Sequence, residues 1–225
     1  MKIINKSSWL YRVLVIALFF IAIQVPPVAV QLANHYSANE VIVAAFVALF
    51  LGLMLAIIWL ASHTYQEYNQ LGKPAGIKLR WIIGGFLVII LGTDILSVLN
   101  KVIYHQTETA NNAALGNLLG HNQLVTIAFM FSAIVLSPIA EEFIFRGSLT
   151  NMFFKVTNIW PKVFLSGLVF SAGHMSTNPV SFLIYAFMGM TLAYVYLQTR
   201  DIRNSMAIHM LNNLIAMFVL FTQIS

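Results

Sequence analysis

The chain has no cysteine, which excludes disulfides, cysteine nucleophiles and thiolate metal sites and says nothing more about its compartment. Charge is nearly as scarce. Only 8% of its 225 residues are charged, against about a quarter in soluble domains. Acidic residues are the scarcest, seven against twelve Lys and Arg. The resulting net charge of +5 is spread along the chain with no basic stripe, so no nucleic-acid partner is expected. There is no internal repeat, low-complexity tract, glycine-rich phosphate loop or soluble domain.

What fills the chain is hydrophobic sequence, 60% of all residues. Apolar stretches near the length of a bilayer crossing fall at 9–30, 41–61, 81–99, 123–153, 162–177, 179–197 and 203–221. The expected fold is all-α, a polytopic transmembrane helical bundle. Residues 1–122 supply N-terminal helices and a long external loop, and 123–225 a helical core, as one integral membrane unit.

The basic residues orient this bundle, because cytoplasmic loops carry the Lys and Arg excess. Lys2 and Lys6 precede the first stretch; Lys73, Lys78 and Arg80 follow the second; Lys155 and Lys162 follow the fourth; Arg200 and Arg203 follow the sixth. The alternate loops hold only Lys101. The N-terminus is therefore expected in the cytoplasm and, after seven crossings, the C-terminus outside. A secretory signal is disfavoured, since Arg12 interrupts the first apolar core, Pro26 and Pro27 follow it, and no small-x-small cleavage site appears. The prolines are expected to kink or end that helix.

Chemistry concentrates in the second half. The run Ser137 to Ser148, SPIAEEFIFRGS, sets Glu141, Glu142 and Arg146 inside apolar sequence. Each charge at bilayer depth costs roughly 2.5–3.5 kcal/mol on insertion scales, so three together imply pairing or a task. Glu142 and Arg146, spaced i, i+4, face each other and suit an internal ion pair. Glu141 lies about 100° round the helix and is the candidate for chemistry. Pro138 frees backbone carbonyls beside it. Asp94, in the third stretch, is read as solvated or bonded to Thr93 or Ser97, or as a partner to something in the core.

His174 and His209 are embedded in the fifth and seventh stretches, whereas His35, His63, His105 and His121 fall in loops or at span ends. Asn213 shares a face with His209. Gly173 permits a close approach beside His174, Gly189 and Ala193 suggest tight helix packing, and Tyr194 with Tyr196 fit an interfacial aromatic belt. Peptide hydrolysis needs a base for water and donors for an oxyanion. Glu141 with His174 could be the first, His209 with Asn213 the second.

These residues resemble the CPBP (CAAX protease and bacteriocin-processing, Abi) intramembrane protease family. EEFIFR matches its EExxxR motif, Phe170 to His174 its FxxxH motif and His209 to Asn213 its HxxxN motif, in the same order, over roughly Gln123 to Leu220. The resemblance implies a glutamate-dependent intramembrane endopeptidase in which Glu141 and His174 activate water, His209 and Asn213 stabilise the oxyanion, and Glu142 and Arg146 support the site. It also implies eight membrane helices, so seven to eight are expected, the eighth coming from Ser62 to Arg80 or from a division around Glu141 to Phe154. No cofactor is favoured. A zinc site of Glu141, His174 and His209 is the alternative within the enzyme class. A non-catalytic membrane immunity or scaffold protein is the alternative outside it. A transporter would show pseudo-symmetric halves, and these halves are unlike. The expected partners are the bilayer and a peptide or membrane-protein precursor, in a bacterial cell membrane.

Overall fold

The computed structural model describes residues 8–119 and 122–224, and every regular element among them is a helix. Lys2, Lys6 and His121 lie outside the described residues. In chain order the helices are α1 Trp9–Ala22, α2 Pro26–His35, α3 Glu40–Tyr68, α4 Leu79–Tyr104, α5 Ala110–Gly116, α6 Gln123–Phe153, α7 Ile159–Ala172, α8 Pro179–Thr199 and α9 Ile202–Ile224. Six are long and apolar enough to cross a membrane, counting α1 and α2 as the single stretch Trp9–His35. The seventh, α7, is apolar but has only 14 residues, about 21 Å of helix.

Local chemistry accounts for the boundaries. Pro26 and Pro27 open α2 rather than continue α1, because neither can donate the helical N–H. Asparagines cap three starts by accepting backbone N–H bonds: Asn39 for α3, Asn122 for α6 and Asn178, in a reciprocal box with Ser181, for α8. Helix α3 continues to Tyr68, so residues 62–68, expected in a loop, are helical, and His63 lies on an exposed helix face. Helix α6 runs unbroken through Glu141 to Phe153, and residues 69–78 hold no helix.

Hydrogen bonds gather the helix ends into two groups. At one end Gln70 donates to the Asn151 carbonyl, Gly76 N–H to Asp201, Lys78 N–H to Asn204, and Arg12 to the Met152 carbonyl. At the other, Gln24 donates to the Gly173 carbonyl, Asn34 to the Leu118 carbonyl, and Asn178 and Thr177 to Gln106. The first group holds the basic loops. The second holds Lys101 as its only described Lys or Arg. Successive long segments therefore run in alternating directions.

Packing is closest between α7 and α8. A Cβ on Gly189 would lie 2.9 Å from Gly167 Cα, so small residues on both helices let the backbones touch. Tyr196 departs from the aromatic-belt expectation: it is fully buried, and its hydroxyl accepts from Asn151 Nδ2 at 3.0 Å. Its helix face looks inward, whereas Tyr194 stacks on Trp160 and packs on Trp81.

Two outcomes follow from this packing. Gly189→Val forces the α7 and α8 backbones apart and should cost about 1–3 kcal/mol, read as a lowered unfolding midpoint in detergent. The second concerns Asp201, which is buried and takes two side-chain bonds from Arg203, at 2.9 and 2.6 Å, besides the backbone N–H groups of Arg203 and Gly76. Hydrogen bonds from Arg203 hold its carboxyl below the usual aspartate range. Its stabilisation is therefore complete above the ordinary pKa of about 3.9 and disappears as pH falls through the lowered folded value. Asp201→Asn should melt several degrees below wild type at pH 7, and the gap should close in acid; a gap unchanged by pH would refute this role.

Candidate active site

The site is built on α6, whose winding is irregular where it matters. Ser132–Leu136 is π-helical, Ser137–Glu141 is α-helical and Glu142–Leu149 is π-helical again. Pro138 accounts for the first switch, since it lacks an N–H and its ring collides with the carbonyl four residues back; the wider π turn absorbs both defects. Side chains take up carbonyls along the second segment. Ser148 donates to the Phe143 carbonyl, Ser166 to that of Phe145, Thr150 to that of Arg146 and Asn151 to that of Gly147.

This winding sends the two glutamates to different places. Glu142 is fully buried, with Oε1 3.1 Å from Arg146 Nη1 and 3.0 Å from His209 Nδ1. Arg146, also fully buried, donates to the Gly189 carbonyl at 3.3 Å and lies 4.4 Å above the Phe170 ring, a cation–π contact. The expected i, i+4 ion pair is present, and His209 joins it from α9. Glu141 has no such cation. It keeps 14% of its side-chain surface exposed, its Oε2 lies 3.7 Å from His209 Nε2, and that oxygen has no hydrogen-bond partner.

Glu141 lines a cavity of about 460 Å3 whose wall also includes His174, Asn213 and Asp94. His174 lies just beyond α7 rather than inside it. The helix ends at Ala172, and Gly173 and His174 turn back to bond the Phe170 and Ser171 carbonyls; glycine, a poor helix former, favours that ending. The His174 ring stacks on Tyr185 at 4.5 Å, and its Nδ1 is 2.8 Å from the Phe170 carbonyl. A carbonyl only accepts, so Nδ1 carries the proton and Nε2 of the neutral ring is left as an acceptor. Asn213 donates one Nδ2 proton to the Ala133 carbonyl at 2.9 Å and retains a second.

The six predicted residues thus divide. Glu142, Arg146, His209 and one side of Glu141 form a buried charged cluster, while Glu141, His174 and Asn213 share the cavity wall. Among the described residues no three His, Asp or Glu side chains come together as a metal-ligand set. Both His209 nitrogens face carboxylates, and the His174 Nδ1 faces a carbonyl. Two supporting groups were not anticipated, the Gly189 carbonyl and the Tyr185 ring. Both come from α8, and nothing in their local sequence marks them. Phe170 does carry a signal, its i, i+4 spacing from His174, but not the Arg146 it underlies.

Fold and site define an integral membrane protein with a charged centre inside its helical core. Residues 123–215, which carry all six of these residues, match the family model described as type II CAAX prenyl endopeptidase Rce1-like. The chain is 25% identical over 172 residues to the "Putative membrane peptidase YdiL" of Bacillus subtilis, covering 76% of this chain and 67% of that protein. It is 23% identical to the UPF0177 protein YvdC of Lactococcus lactis, over 96% and 78% of the two chains. It is also 22% identical to the membrane-embedded CAAX protease MroQ of Staphylococcus aureus, over 64% and 59%. No solved structure matches. These matches support a membrane peptidase, and over the helical core they agree with the resemblance to the CPBP intramembrane protease family.

The buried cluster is open to a stability test. Arg146→Met leaves Glu142 a buried charge with one partner fewer and should destabilise by about 3–5 kcal/mol. The double variant Glu142→Gln, Arg146→Met should recover much of that loss, measured by unfolding in detergent. Equal destabilisation in single and double variants would show that the charges are not coupled.

Proposed function

We propose that the protein is a glutamate-dependent intramembrane endopeptidase that works without a metal, with Glu141 and His174 activating the attacking water. The observation that carries this reading is the unequal fate of two adjacent carboxylates. Glu142 is fully buried, outside the cavity wall, and its Oε1 is engaged by both Arg146 and His209, while Glu141 keeps part of its surface exposed in the cavity wall and has only His209 nearby, at 3.7 Å. That is how a base differs from its support.

The chemistry follows from the donor and acceptor inventory. Glu141 and the His174 Nε2 both accept, so one water can donate a proton to each and turn a lone pair toward a peptide carbonyl. As the oxygen attacks, its proton passes to Glu141, which later returns it to the leaving amine nitrogen as the C–N bond breaks. The carbonyl oxygen, now an alkoxide, takes bonds from the second Nδ2 proton of Asn213 and from His209. For His209 this requires a proton on both nitrogens, since Nδ1 already faces Glu142 Oε1 at 3.0 Å. Glu142 and Arg146 hold His209 in position.

The substrate reading is a peptide or membrane-protein precursor in a bacterial cell membrane, supported by the bacterial origin of the three relatives. The basic loops gathered at one end of the bundle support a cytoplasmic assignment for that end and, with it, the reading of an N-terminus inside and a C-terminus outside.

Cleavage of a quenched peptide library by detergent-purified protein, beside Glu141→Ala and with or without chelator, is the test. Glu141→Ala should reduce kcat/KM by at least about a hundredfold, and chelator should change nothing. Loss on chelation with recovery on zinc would establish a metallopeptidase. Folded wild type and Glu141→Ala equally inactive on every peptide would favour an immunity or scaffold protein.

A further inference from the structure

The cavity is larger than water activation requires and its charge is one-sided. Three of the chain's seven carboxylates line it, Asp94, Glu108 and Glu141, and no described Lys or Arg does. Glu141 belongs to the proposed chemistry. Asp94 and Glu108 do not, and both are exposed.

Their placement follows from helix geometry. Ile90, Thr93, Asp94, Ser97 and Asn100 of α4 all line the cavity, at the spacing of a single helix face. That face is apolar at Ile90 and polar from Thr93 onward. The loop after α4 adds Gln106 and Glu108, and this end of the bundle holds Lys101 as its only described Lys or Arg. Lys101 follows Asn100 but is not in the cavity wall.

Two unsatisfied groups indicate that something else belongs in this space. Asn100 is 2% exposed and its Oδ1 has no hydrogen-bond partner. Ser132, 1% exposed and also in the cavity wall, has a hydroxyl with none. Buried polar atoms without partners are uncommon, and each calls for a ligand or water. At the Asn100 end the unsatisfied atom is an acceptor in the same cavity wall as Asp94 and Glu108, so a group that suits this end is a donor carrying positive charge.

We infer that the Asp94–Asn100–Glu108 end of the cavity is a specificity subsite for a Lys or Arg side chain of the peptide substrate, which reaches Glu141 from the end of the bundle poor in basic residues. This rests on the peptidase reading and adds to it a substrate class, peptides bearing a cation near the scissile bond. Two carboxylates in a cavity wall that holds no described Lys or Arg attract an ammonium or guanidinium group and repel an acidic segment. The attraction weakens with added salt, since the two carboxylates are exposed.

Binding separates this inference from the peptidase reading. Fluorescent peptides identical except for Lys, Ala or Glu at one scanned position are titrated by anisotropy against detergent-purified Glu141→Gln protein. At the preferred position the Lys peptide should bind about tenfold more tightly than the Ala peptide, and the Glu peptide more weakly still. Asp94→Asn with Glu108→Gln should bring the Lys-to-Ala ratio near one. Asp94→Lys, which needs no loss of fold to be informative, should reverse the order. Binding that is absent, indifferent to charge, or equally Lys-selective after both carboxylates are neutralised overturns the subsite. Lys-selective binding to Glu141→Gln of peptides that wild type leaves intact would uphold the subsite while overturning the peptidase reading.

Discussion

The structure depends on one fully buried ion pair that is not left as a pair. Glu142 and Arg146 together would be an expensive insertion in a membrane helix, and their mutual attraction alone repays little of the desolvation. The cost is offset by enlisting other helices: His209 from α9 bonds the carboxylate, while the Gly189 carbonyl from α8 and the Phe170 ring from α7 engage the guanidinium. Four helices thus have their relative positions set by one charge pair. The same contacts leave Glu141 as the carboxylate turned to the cavity.

That arrangement needs a helix that is not an ideal α-helix. The i→i+5 bonding of a π turn is wider than that of an α turn, and along the segment after Glu141 the loosened carbonyls bond to Ser166 from α7 and to Ser148, Thr150 and Asn151 of α6 itself. Close approach of α7 and α8 at Gly167 and Gly189 then brings the Gly189 carbonyl within reach of Arg146. Small residues here serve the charged centre as well as the packing.

Charge is also distributed at the scale of the whole bundle. One end carries the basic loops, clasped by Asp201, Asn204 and Gln70; the other carries nearly none and opens on the cavity. Three pairs of charges mark this layout: Asp201 and Arg203 in the clasp, Glu142 and Arg146 in the core, Asp94 and Glu108 in the cavity wall.

Much of this was legible in the residues themselves. Apolar runs separated by basic loops define the crossings because bilayer thickness sets their length, and the Glu142–Arg146 pairing follows from spacing along one helix. Local propensity marks Pro26, Pro27 and the asparagine caps. What spacing could not show was contact between helices. That His209 serves Glu142 through one nitrogen and faces Glu141 through the other, that Tyr196 points inward, that His174 lies past its helix rather than in it, and that Asp94 shares a cavity with Glu141 depend on how α4, α7, α8 and α9 rotate and tilt against α6. Sequence by itself determined which residues are costly in a membrane and which lie on one helix face, because those are properties of a single segment. Only the tertiary structure decided which groups from other helices meet the Glu142–Arg146 pair and which residues share the cavity wall with Glu141, because burial and partners come from packing among segments distant in the chain.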